Sequence, residues 1–125
     1  MTMSDGRAAV VAGHGAFAAG MVSAVARIVG EAHGLVPVDN EEGTPDTIAA
    51  AIARALDAAG ATVCFTDLPA GSCTLAARRL ARARPGLVIV TGASLPVLLA
   101  YATGGDVDAA VRAGQAALVA TAPAA

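Results

Sequence analysis

The sequence predicts an α/β fold: a single-domain, open, mainly parallel sheet with helices on both faces. Three observations carry this. Short apolar runs alternate with helical spacings along the whole chain, and turn residues such as Gly13, Gly60 and Gly92 punctuate the alternation. A length of 125 residues suits one domain, spanning 1–125, with a core that needs no disulfide or metal staple. Strand–helix alternation implies parallel pairing, because right-handed crossovers lay the helices on either face.

Each element has its own signal. Residues 7–12 are an apolar run ending at Gly13, as expected for a strand buried on both faces. Phe17, Met21, Val25 and Ile28 then recur at helical spacing, and Gly30 closes that helix. Residues 34–38 form a second strand, placed at a sheet edge by Pro37, which cannot donate to a ladder. Residues 39–43 are a polar loop. Thr44, Pro45 and Asp46 supply an N-cap, a proline at the first helical position and an early acid; Ile48, Ile52 and Leu56 follow, and Gly60 ends the second helix.

Residues 61–66 make the third strand, with Asp67 at its end. After the loop 68–71, Ser72 is an N-cap for a third helix reaching Arg84, stopped by Pro85 and Gly86. Residues 87–91 are β-branched and uncharged, the clearest strand of the chain. Leu95, Leu98 and Leu99 mark a fourth helix, broken by Gly104 and Gly105. Asp106 caps the last, whose inward stripe is Val107, Val111, Gly114 and Leu118. The tail 120–125 reads as a frayed end or a short added strand.

Composition narrows the function. Hydrophobic residues reach 56%, largely alanine, and no long apolar run escapes charge, glycine or proline, so no membrane span is expected. Residues 1–7 lack the pattern of a secretory leader, and a cytoplasmic location is expected. A net charge of −2 and 2% aromatic content argue against nucleic acid as a partner. Cys64 and Cys73 have no metal-ligand spacing; Cys64 reads as a buried strand residue.

In open parallel sheets, ligands gather beyond the carboxyl ends of the strands. The predicted loops there hold His14, Asp39, Asp67, Ser72 and Ser94. His14 stands between Gly13 and Gly15 where a strand passes into a helix, and a helix N-terminus offers unpaired N–H groups to an anion. A neutral imidazole nitrogen is a nucleophile near neutral pH, so His14 is a candidate phosphoryl acceptor. A carboxylate after a buried strand, Asp67, suits an orienting role on its ring. His33, at a loop-to-strand junction, reads as a solvated surface residue. Arg78, Arg79, Arg82 and Arg84 read as the solvated face of their helix.

Other readings compete. Gly13 to Ala18 also fits G-x-G-x-x-A, with Asp39 near the distance of a ribose-binding acid, so a small dinucleotide-binding module using Gly13, Gly15 and Asp39 is the alternative. It leaves His14 and Asp67 without roles. A Ser72 or Cys73 nucleophile lacks any hydrolase signature around it, and metal binding by His14, His33 and a cysteine lacks a shared spacing.

The segment Gly13-His14-Gly15-x-Phe17-Ala18-x-Gly20-Met21-x-Ser23-Ala24-Val25 resembles the phosphorylation-site segment of IIA components of the mannose-type phosphoenolpyruvate-dependent sugar phosphotransferase system. Thr66-Asp67, four residues and Ser72 fall where that family has D-x-x-G-G-S-P-x-N, and residues 92–98 are similar to its G-x-N-x-P-M-L. Ala70, Cys73, Leu75 and Ser94 depart from these motifs, while His14, Asp67, Gly71 and Ser72 keep to them. The resemblance implies that His14 accepts a phosphoryl group from the phosphocarrier HPr and passes it to a IIB subunit, as a phosphotransferase subunit of sugar uptake. It implies that Asp67 orients the ring and that Gly15, Gly71 and Ser72 contact the phosphoryl group. It further implies a homodimer, no metal or organic cofactor, and membrane association only through a permease. A regulatory relative that reports phosphorylation state, or the phosphocarrier subunit serving dihydroxyacetone kinase, shares this layout, with the first segment closer to the sugar IIA pattern.

Overall fold

The computed structural model describes residues 7–123; the N-terminal segment 1–6 and the last two residues of the predicted tail lie outside them. The elements run β1 (Ala9–His14), α1 (Phe17–Val29), a 3₁₀ turn (Glu31–His33), β2 (Leu35–Asn40), α2 (Pro45–Ala59), β3 (Val63–Thr66), α3 (Ser72–Ala81), β4 (Val88–Val90), α4 (Leu95–Gly104) and α5 (Val107–Ala117). The four strands form one parallel sheet in the order β2-β1-β3-β4. This is the predicted α/β architecture, with β2 and its Pro37 at an edge.

Alternation along the central strands divides the core. Ala9 and Val11 of β1 with Val63 and Phe65 of β3 face a layer built by α1, α4 and α5; Val10, Ala12 and Cys64 face α2 and α3. All of these are buried, so both faces of β1 and β3 are covered. That explains why both strands read as apolar runs without a polar phase. Phe65 meets Tyr101 of α4 edge to face, with ring centroids 5.2 Å apart.

Helix α2 has the cap its sequence announces. Thr44 Oγ1 accepts from the Thr47 N–H at 3.2 Å, and Thr47 Oγ1 accepts from the Thr44 N–H at 2.9 Å, a reciprocal box with threonine in the place usually held by Glu or Gln. Asp106 likewise caps α5 through the Asp108 N–H. The arginines of the third helical segment are partly engaged: Arg79 pairs with Asp46 and Arg84 with Asp57, both on α2. Such exposed pairs contribute little stability.

Several local expectations are corrected. Asp39 and Asn40 belong to β2 rather than to the loop, because the ladder to Gly13 and His14 extends that strand. The third helix ends at Ala81 and reaches Arg84 only through turns. On α1, Ala18, Val22 and Val25 are buried and Phe17 and Met21 pack against the same core, whereas Ile28 is 60% exposed. Leu118, expected inside, is 88% exposed just past α5, and residues 118–123 form no strand. His33 is buried rather than solvated: its Nδ1 accepts the Leu35 N–H at 2.9 Å, a bond that closes the entry into β2. Among the described residues no helix is long and apolar enough to cross a membrane.

Candidate phosphoryl-acceptor site

The chain passes from β1 to β2 on one side and then crosses to β3 on the other, so the carboxyl ends of β1 and β3 flank the switch in strand order. His14 is the last residue of β1 and Asp67 directly follows β3. The two meet because their strands pair, although 53 residues separate them.

Asp67 Oδ2 stands 2.8 Å from the backbone nitrogen of His14, whose N–H it accepts, and 2.8 Å from the ring Nδ1. An ionised carboxylate at that distance can only accept, so Nδ1–H donates to it and Nε2 keeps its lone pair. The His14 side chain is 49% exposed and that of Asp67 only 11%. Burial pushes the Asp67 carboxyl up, but the backbone N–H, the ring and the charge of His14 together outweigh it and hold it below the usual carboxylate range.

Helix α3 supplies the opposite wall. Gly71, at φ 143°, is the residue before it, and a Cβ there would lie 3.2 Å from His14 Cε1. Ser72 was expected to be the N-cap; instead Gly71 occupies that position and no side chain caps the helix. The Ser72 hydroxyl stands 3.5 Å from Nε2. The start of α3, whose first N–H groups have no partner within a helix, therefore lies beside the imidazole, a setting that suits an anion. The expected anion-binding end was that of α1. There the Gly15 N–H, at φ 54°, is spent on the Asn40 carbonyl at 2.7 Å, and the Ala19 N–H on Asp39 Oδ1 at 2.9 Å.

Of the five rim residues, the structure thus brings together His14, Asp67 and Ser72. Asp39 serves α1, and Ser94 lines an apolar cleft of about 420 Å³ between β4, α4 and α5. Two residues near the site carry no local signal. Asn40 donates from Nδ2 to Ser72 Oγ at 3.0 Å and accepts the Gly43 N–H at 2.9 Å. Thr74 Oγ1 lies 2.5 Å from the Leu68 carbonyl oxygen and 2.6 Å from Thr66 Oγ1. The carbonyl can only accept, so Thr74 donates to it and accepts from Thr66, pinning the chain on either side of Asp67.

The cysteines are buried. Burial and the neighbouring Cys73 push the Cys64 thiol up to about 12. Cys73 is pushed up by burial and the Asp67 charge, against a smaller downward pull from Asn40 and Ser72. Neither thiol is an activated nucleophile.

An exposed imidazole paired with a carboxylate, beside an uncapped helix start at the carboxyl edge of a parallel sheet, is an arrangement able to carry transfer chemistry on a histidine. The sequence model of the family described as PTS system fructose IIA component matches residues 8–118, and the chain belongs to that family. No curated protein matches it. Among solved structures it is similar to the mannose/sorbose-specific IIA subunit of the phosphotransferase system from Enterococcus faecalis, with TM-score 0.77, 23% identity, and coverage of 94% of this chain and 96% of that one. It is also similar to the phosphotransferase system component EIIA from Streptococcus agalactiae, with TM-score 0.80, 18% identity, and coverage of 90% and 95%. A PTS IIA protein associated with the fucose utilization operon of Streptococcus pneumoniae matches with TM-score 0.74, 22% identity, and coverage of 90% and 91%. At these identities the likeness is one of fold.

Proposed function

We propose that this IIA component accepts a phosphoryl group from HPr on Nε2 of His14 and delivers it to a IIB subunit during sugar uptake. The observation that carries this reading is the 2.8 Å pairing of His14 Nδ1 with Asp67, which leaves Nε2 as the nucleophile beside Ser72 and the start of α3. The Nε2 lone pair forms the new N–P bond while the N–P bond of the donor breaks. Nδ1 keeps its proton, and the positive charge that the ring gains is balanced by the Asp67 carboxylate. Ser72, Gly15 and Gly71 line the phosphoryl group, whose oxygens meet the N–H groups of α3. Transfer between two histidines needs little energetic drop, so placement and charge stabilisation are what the site must supply. The protein acts as a homodimer, a reading supported by the exposed apolar residues Val88, Leu118 and Val119.

Incubation with phosphoenolpyruvate, Enzyme I and HPr tests the reading. The chain acquires a label that is stable to alkali and lost in acid, as a phosphoramidate must be, and His14→Ala removes it. A label that survives His14→Ala, or that proves acid-stable, overturns the assignment and points to Ser72.

A further inference from the structure

We propose that Asn40 is a positioning residue that directs the Ser72 hydroxyl proton toward the phosphoryl group on His14 Nε2, an assignment that rests on the phosphocarrier reading above. An asparagine amide has one accepting and one donating end, and only the surroundings tell them apart. Here the Gly43 N–H, 2.9 Å away, can only donate, so the oxygen of Asn40 is fixed on that side. The nitrogen then faces Ser72 Oγ at 3.0 Å and must donate to it. Ser72 therefore has a lone pair occupied from behind, which leaves its own proton to point forward, toward Nε2, rather than back at Asn40.

The 3.5 Å from Ser72 Oγ to Nε2 is long for a hydrogen bond to the ring, but it suits a donor awaiting a group attached to that nitrogen. A hydroxyl without Asn40 behind it can rotate and present a lone pair to the incoming phosphoryl oxygens, which repels instead of binding. The Asn40 backbone carbonyl also accepts the Gly15 N–H at 2.7 Å. One residue of β2 is thus tied to the turn after His14 and to the first residue of α3.

A double-mutant cycle tests this, with the rate of phosphoryl transfer from phospho-HPr to His14 and the phosphorus resonance of the phosphorylated protein as readouts. Asn40→Ala slows transfer about threefold to tenfold, the range of one hydrogen bond, and the loss falls below about twofold when Ser72→Ala is already present. Asn40→Asp keeps an acceptor for Gly43 but takes the Ser72 proton for itself, so it slows transfer at least as much as Asn40→Ala. It also displaces the phosphorus resonance in the same direction as Ser72→Ala. Equal losses in the Ser72 and Ser72→Ala backgrounds, or an unshifted resonance in Asn40→Asp, overturn the assignment. A wild-type chain that takes no label at all overturns instead the phosphocarrier reading on which it rests.

Discussion

Asp67 does two jobs with one oxygen: it receives the backbone N–H of His14 and it holds the ring, each at 2.8 Å. Replacing it by asparagine preserves volume but removes charge, and the amide then has no fixed reason to face the ring with its oxygen. Asp67→Asn slows phosphoryl transfer by about 10²–10⁴-fold, the usual worth of such a group. A loss under about tenfold in a rapid-quench transfer assay would reduce Asp67 to a structural part. The same carboxyl carries a pH signature. Its folded value is depressed, so its stabilisation is full above the unfolded value of about 3.9 and is lost as pH falls through the folded value. The stability difference between the parent chain and Asp67→Asn, read from urea unfolding, therefore shrinks as pH is lowered from about 5 towards about 2.

At the scale of elements, helix α2 begins with a reciprocal threonine box and lies outside the site. Thr44→Ala costs about 1 kcal/mol of stability and leaves the transfer rate unchanged; a comparable fall in rate would mean that α2 is coupled to the site. The Thr44 cap, like the order of strands and helices, was legible because it depends on neighbours a few residues apart. Pro37 even located an edge. What was not legible depends on partners distant in sequence. Asn40 looked like a loop residue until its partner Ser72, 32 positions on, was in view. Ser72 fits an N-cap by residue type, but the φ of 143° at Gly71 moves the helix start one place and turns the hydroxyl toward the imidazole. His33 looked solvated because a buried imidazole needs a partner, and that partner is a backbone N–H, which no residue type announces. The rim holding His14, Asp67 and Ser72 was readable from residue type and predicted strand ends, but a role for Ser72 beside the imidazole came only with the family resemblance, and the support by Thr74 was not readable at all.

The sheet has one long edge, the six residues of β2, and one short one. β4 contributes only three residues at its side of the sheet, with Val88 exposed, and the chain leaves α5 through exposed Leu118 and Val119. Exposed apolar residues at an unpaired strand edge favour self-association. Sedimentation equilibrium at tens of micromolar is expected to return twice the 12.1 kDa chain mass, and a monomer at that concentration would remove the homodimer. The competing dinucleotide module fares poorly in the same frame, since its ribose-binding acid, Asp39, is engaged by the Ala19 N–H. Calorimetry with nicotinamide dinucleotides is expected to show no saturable binding.

The distance along the chain between the reacting groups has a consequence for synthesis. His14 leaves the ribosome before both of its partners: the acid beside its ring comes 53 residues later and the hydroxyl 58 residues later. A growing chain that has completed β2 carries a histidine with no set tautomer and no anion-binding wall. On the phosphocarrier reading proposed above, charging by a phosphate donor waits until β3 has paired with β1 and α3 has docked. The paired imidazole thus doubles as a report that the chain has been made and folded as far as α3.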